Sequence, residues 1–456
     1  MTAPDLRKTV RTAAAEAGEH FRFRPSEQWE VARYVVRWVL LLTPVAAAIG
    51  SACALFLWAL DEVTNARFDH PWLLYLLPVS GLVIAMMYRR FGQRSEGGSN
   101  LIVDEIHEPV DGVPARMTPL IFIGAVSSHL VGASVGREGS AVQMGGSIAS
   151  AFNRLFRLDS DDLATLLMAG VAAGFGAIFG TPIAGAVFAM EVLTIGRMEY
   201  RALIPVLYAS LAADFTTAAW GIHVTSYAVA VVPPDGRLPF DAWLMAKVTL
   251  AGAAFGIAAV LFAEFSHGFG RAFHRYVRWP LLRPVVAGLI VIGAVFALGT
   301  REYLGLGVSS PHSGDVTVAT AFLPGGSGDL SWWWKIMFTS LCIGAGFKGG
   351  EVTPMFFVGA TLGNRLAALL QAPVDLFAGL GFVSVLAGAA NTPLTCTIMG
   401  LELFGAANAP YFAVACFVAY LVSGHSGIFL SQRVAVTKMP LRGWAGHRTL
   451  RDVARH

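Results

Sequence analysis

Glu138 stands between glycines in "GREGS", residues 136–140, with the apolar stretches "MTPLIFIGAVSSHLVGASV" before it and "AVQMGGSIASAF" after it. Ionisable residues at such depth in an apolar chain mark functional sites. A carboxylate is itself an anion, so Glu138 could take the place of a transported anion on a set of donors. With a proton added it becomes neutral and can swing away, which would make one side chain both gate and proton carrier. The plainer alternative is a local ion pair between Arg137 and Glu138 at the edge of a loop. "GGEVTP" (349–354) offers a second acid, Glu351, with the hydroxyl of Thr353 two residues on. "GGSN" (97–100) offers Ser99 and Asn100 as neutral donors, or as local helix caps. Gly136 and Gly139 leave the backbone free to approach closely around the first acid.

All three stretches have the form of a helix start. The first N–H groups of a helix have no partner within it, and together with the helix dipole they form an anion site. In hydrocarbon such a start is tolerated only where it faces a cavity or a ligand. Three starts aimed at one point would hold an anion without a full positive charge and would let it leave again.

The elements that must position them are membrane helices. Of 456 residues, 55% are hydrophobic and 14% charged, against roughly 25% charged in soluble proteins, and the mean hydropathy is +0.59. Runs such as 35–60, 72–88, 244–265, 285–299 and 411–424 have the composition of membrane segments, though several are short and are broken by Gly or Pro. Lipid is therefore the expected surroundings. Basic residues gather near both ends, so both termini are expected in the cytoplasm and the crossings to be even in number. We expect an N-terminal cytoplasmic arm (1–33) that is not a cleavable signal, a membrane domain (34–435), and a short tail (436–456) without a regulatory domain. A net charge of +3 gives no basic patch for nucleic acid.

Two motifs recur in the same order. "GTPIAGAVFAMEVL" (180–193) matches "NTPLTCTIMGLELF" (391–404), with a glutamate nine residues after the proline in each, Glu191 and Glu402. "GREGSAVQMGG" matches "GGEVTPMFFVG", setting Glu138 opposite Glu351. Repeats with broken helices in matching places are the mark of a transporter with its substrate between the halves; here they span about 72–220 and 283–430. Glu191 and Glu402, each ending an apolar helix, read as carboxylates reaching the cytoplasmic interface. Lys348 reads as a solvated lysine or as a source of field for anions. "DEIHEPVDG" (104–112) holds His107 among acids, but no ligand pair at helical spacing. The four cysteines have neither metal spacing nor a disulfide pattern. No cofactor is expected, and no nucleophile elbow or nucleotide loop is found. An intramembrane enzyme using Glu138 or His107 as acid and base is the remaining reading from another class.

At these residues the sequence resembles the CLC family of anion channels and anion/proton exchangers, over roughly residues 35–435. "GREGSAVQMGGSIA" and "GTPIAGAVFAMEVL" are similar to two of the family's segments, and the 39 residues from Ser99 to Glu138 suit its first two anion segments. The resemblance implies an all-helical membrane fold of two inverted halves with tilted and partial helices. It further implies a homodimer with one pore per subunit in the cell's inner membrane, and Glu138 as the external gating glutamate. "GFKGGEVTP" is similar to the fluoride-exporting branch, whose functional glutamate and threonine fall on Glu351 and Thr353. The inner proton glutamate of chloride exchangers falls on Val192, which also suits that branch. Two departures remain: Ser99 is a chloride-type feature, and Phe429 stands where a tyrosine usually closes the inner end. A ring edge can still face an anion. The resemblance thus implies proton-coupled fluoride export, with a chloride/proton exchanger or a passive chloride channel as alternatives.

Overall fold

The structure is a computed structural model that describes residues 25–222, 229, 241–439 and 448–453. Most of the expected N-terminal arm and part of the tail lie outside the described residues. The chain divides into two units, residues 1–41 and 42–456, with the break inside the first long helix. That helix, α1, runs over Pro25–Asp69. The helices α2 (Leu77–Phe91), α3 (Gly98–His107), α4 (Met117–Leu130), α5 (Glu138–Phe156), α6 (Ser160–Phe179), α7 (Pro182–Glu191) and α8 (Leu203–Ala219) follow. The 35-residue α9 (Ala242–Tyr276) leads into a second series: α10 (Arg283–Leu298), α11 (Ser331–Ala345), α12 (Val352–Leu370), α13 (Val374–Ala390), α14 (Pro393–Phe404) and α15 (Ala409–Val422). Among the described residues six helices, some with a flanking 3-10 turn, are long and apolar enough to cross a membrane, while α4, α7, α13, α14 and α15 are shorter apolar pieces.

The second series repeats the first in lengths, caps and contacts. α5 and α12 each have 19 residues. They end on left-handed residues at equivalent places, Arg157 (φ 52°) and Gln371 (φ 49°). α6 and α13 stop likewise, on Gly180 and Asn391. α7 and α14 both begin with proline at the first helical position, where the missing N–H costs nothing. α5 packs on α6 as α12 packs on α13. Glycine sets how close each pair comes: a Cβ on Gly145 would lie 2.1 Å from the Gly170 carbonyl oxygen, and one on Gly359 1.9 Å from that of Gly381. Small residues at such crossings let membrane helices pack backbone to backbone. α3 has no helical counterpart among the described residues; its place is taken by the largely irregular stretch 299–330.

A small sheet lies at one edge. β1 (Thr194–Ile195) runs parallel to β2 (Arg433–Val434), which pairs antiparallel with β3 (Arg448–Thr449) ahead of the short helix α16 (Leu450–Val453). Ile195, Val434 and Leu450 form its apolar cluster. The expected tail after residue 435 is thus partly folded back as strand and helix. All four cysteines are buried and free.

Candidate functional site

The loops that precede α5 and α12 are zipped together. Gly136 N–H donates to the Gly350 carbonyl at 2.5 Å and Gly350 N–H to the Gly136 carbonyl at 2.7 Å. The pairing brings the two helix starts face to face, and only glycine fits there: a Cβ on Gly139 would sit 3.0 Å from Gly350 Cα, and one on Gly350 2.6 Å from Gly139 N.

Glu138, 1% exposed, extends from the first residue of α5 across to α12. Its Oε2 accepts from Thr353 N–H at 3.0 Å and from Arg137 N–H at 3.1 Å. Its Oε1 accepts from the Thr353 hydroxyl and lies 3.4 Å from Arg137 Nε. Thr353 is the second residue of α12, the position whose amide a cap normally takes. The residue at α12's own cap position is Glu351, and it makes no side-chain cap hydrogen bond. The carboxylate therefore rests on the other half's helix start. The Arg137 contact is present as well, as one part of this cradle. α3 and α5 begin without any side-chain cap hydrogen bond.

Glu351 faces elsewhere. It lines a cavity of about 840 Å³ together with Asn100, Glu264, His267, Arg271 and residues 425–428. The reason is register. The two 19-residue helices start at Glu138 and Val352 and stop on Arg157 and Gln371, so the residue matching Glu138 is Val352, and Glu351 matches Arg137. Aligning the two acids by sequence places them one residue out of step. Around a helix one residue is about 100° of rotation, which turns the two side chains to different faces.

Ser99 lies in the first turn of α3, where Gln143 of α5 donates to its hydroxyl at 3.5 Å. Among the described residues, the contacts of the Glu138 carboxyl group are to Thr353 and Arg137, and Ser99 stands apart from them. Asn100 accepts from Ser431 N–H at 3.0 Å and so ties α3 to the segment carrying Phe429. Phe429 is buried at 8% exposure, edge-on to Phe188 of α7 at 6.3 Å. Val192 is buried, and its carbonyl accepts from Gln432 at 2.9 Å. The structure therefore brings Gly136, Arg137, Glu138, Gly139 and Thr353 into one cradle. It places Asn100 and Glu351 on one cavity, with Ser99 against Gln143 and Phe429 against Phe188.

Other expectations change. Glu191 and Glu402 do not reach for an interface: each caps the other's helix. Glu402 accepts from Ile183 N–H at 2.9 Å and Ala184 N–H at 2.8 Å at the start of α7. Glu191 accepts from Leu394 N–H at 3.0 Å, Thr395 N–H at 2.8 Å and the Thr395 hydroxyl at 2.6 Å at the start of α14. The repeated nine-residue spacing was the only sequence signal of this exchange. Lys348 stands 4.1 Å over the Tyr88 ring instead of free in water. His107 bonds to the Val103 carbonyl and the Thr194 hydroxyl, and no metal cluster occurs among the described residues. Glu105, in the same acidic stretch, ties down the following turn by accepting from Val110 and Gly112 N–H, both at 3.0 Å.

Known proteins are similar to this chain in sequence and fold. The family model for the voltage gated chloride channel matches residues 80–424. A chloride/fluoride channel protein of Pseudomonas syringae pv. tomato is 46% identical over 428 residues, covering 92% of each chain. An H(+)/Cl(-) exchange transporter of Vibrio cholerae is 27% identical over 337 residues, 70% of this chain and 68% of its own. The crystal structure of a CLC-type fluoride/proton antiporter superposes with a TM-score of 0.82 at 32% identity, covering 88% of this chain and 98% of that one. With its repeated helix starts, its cradled glutamate and a family match over most of its length, the chain belongs to the CLC, or voltage gated chloride channel, family of membrane anion transport proteins, and it is not an enzyme.

Proposed function

We propose that this protein exports fluoride in exchange for protons, with Glu138 as the gate and proton carrier. One observation carries the reading: the buried carboxyl group of Glu138 rests on the backbone amide and hydroxyl of Thr353 at a helix start. Any anion using that seat must first displace it. Protonation removes the charge that holds the carboxylate there, so uptake of a proton and entry of an anion become one event.

Two cavities suit an ion path. The larger, into which Glu351 faces, is lined by the C-terminal part of α9; a second, of about 460 Å³, is lined by Arg67, Arg301 and the end of α10. Glu351 would pass protons between the first cavity and Glu138. Thr353 and the uncapped amides of α5 would replace the water around fluoride. A small anion needs donors that approach closely, and a threonine hydroxyl beside paired glycines allows that.

The fluoride/proton antiporter and the chloride/fluoride channel protein among the relatives favour fluoride. We further propose a homodimer in the cell's inner membrane, one pore per subunit, with both termini in the cytoplasm. Chloride as cargo is favoured by Ser99 and by the likeness to a chloride exchanger, and Val192 at the inner proton position keeps a passive channel open. Parallel fluoride and chloride efflux from proteoliposomes, with external pH recorded, separates these. The reading predicts fluoride efflux with a rise in external pH and chloride slower by about tenfold or more, which corresponds to about 1.4 kcal/mol of discrimination. Equal rates would make chloride the cargo, and an unchanged pH would make the protein a channel.

A further inference from the structure

The segment after the last long helix returns to the transport site. Thr449 and Asp452 cap α16 reciprocally: Thr449 N–H and hydroxyl donate to Asp452 Oδ2 at 3.2 and 2.7 Å, and Asp452 N–H donates back to Thr449 Oγ1 at 3.4 Å. A turn with its own capping box is specified locally. Its first two residues then bond to the segment that holds Phe429. Leu450 N–H donates to the Gln432 carbonyl and Arg451 N–H to the Leu430 carbonyl, both at 3.0 Å. Leu450 is 2% exposed, and its Cδ1 would lie 3.0 Å from a Cβ on Gly427. Arg451 reaches the Ser431 hydroxyl at 3.5 Å. Both residues line the cavity into which Asn100 and Glu351 face.

We propose that residues 448–453 are a working part of the inner gate. Leu450 is a positioning residue that holds the Phe429 segment at its distance from α7. Arg451 keeps a guanidinium on the inner cavity, where its field concentrates small anions. The inference rests on the proposed reading of that cavity as part of the ion path, and it takes the end at Phe429 as the inner one.

The test uses the full chain in proteoliposomes beside a truncation after residue 447, Leu450→Ala, Leu450→Ile and Arg451→Gln. Fluoride and chloride efflux are read at low and high ionic strength, and folding is checked by thermal unfolding in detergent. Truncation and Leu450→Ala are expected to lower fluoride flux by about tenfold or more and to narrow its lead over chloride, as displacement of a positioned group does. Leu450→Ile is expected to restore both. Arg451→Gln is expected to slow efflux by about tenfold at low salt and little at high salt, because screening removes a field effect. Unchanged rate and unchanged fluoride-to-chloride ratio in Leu450→Ala overturns the positioning role whether or not the truncated chain folds, and a salt-independent loss in Arg451→Gln overturns the field. If wild type moves fluoride without protons, the antiport reading fails, while the rate comparison among variants still decides the role of the segment.

Discussion

Two pairs of glutamates sit on the repeat, and they behave differently. Glu191 and Glu402 lie in register, nine residues after their prolines, and each caps the helix start of the opposite half. Glu138 and Glu351 are one residue out of register, so only Glu138 crosses to the opposite helix start, while Glu351 faces a cavity. In the first pair every cap has its return, and neither acid can leave without orphaning two backbone amides. In the second pair one seat is filled by a single carboxylate, and the cap residue of α5, Arg137, makes no side-chain cap hydrogen bond. Kept symmetry gives a lock between the halves, and broken symmetry gives the seat that the proposed exchange would use.

The contrast is broken most sharply at Glu138. Glu138→Gln is expected to reduce proton uptake by about two orders of magnitude or to background, since a positioned acid–base group contributes at least that, while fluoride efflux continues. A fluoride electrode and a pH electrode in one vessel check it. The locked pair should respond in stability instead. Glu191→Ala leaves two N–H groups and a hydroxyl without their acceptor, at about 1–3 kcal/mol for each buried group. A drop of several degrees in the unfolding midpoint in detergent is expected, with transport per folded molecule unchanged; Glu402, less buried, should show the smaller drop. Glu351→Gln sharpens the same comparison. It should weaken proton coupling and leave the unfolding midpoint within the roughly 0.5 kcal/mol typical of changes without a structural partner. If it unfolds the protein instead, Glu351 belongs with the lock. Thr353→Val removes one hydroxyl from the Glu138 seat, a loss of about 1.5–3 kcal/mol for a hydrogen bond to a charge. Faster gating with weaker fluoride selectivity in flux assays is expected. The smallest effect is expected for Phe429→Tyr, a change of about threefold or less in the fluoride-to-chloride ratio, because the ring is already packed against Phe188.

Much of this was legible in the chain. Glycine-flanked acids, the repeated Thr-Pro with its distant glutamate, and the low charge content pointed to a duplicated membrane fold and to the residues that form the cradle. Three things were not legible, each for a physical reason. The crossing of Glu191 and Glu402 depends on how α7 and α14 face one another, which spacing along one helix does not fix. The one-residue offset between Glu138 and Glu351 is hidden because the acids themselves dominate the alignment; the helix starts and the matching ends at Arg157 and Gln371 reveal the register. The return of Leu450 and Arg451 to the Phe429 segment is a long-range pairing through a two-residue strand, too short to leave a pattern.

The central claim is that Glu138 and the anion compete for the start of α12. Calorimetric titration of fluoride into detergent-solubilised protein at two pH values tests it most directly, in wild type and in Glu138→Gln. The account predicts that wild type binds fluoride more tightly at the lower pH, and that Glu138→Gln binds tightly at both. Equal affinity in the two proteins, with the same pH dependence, would contradict it.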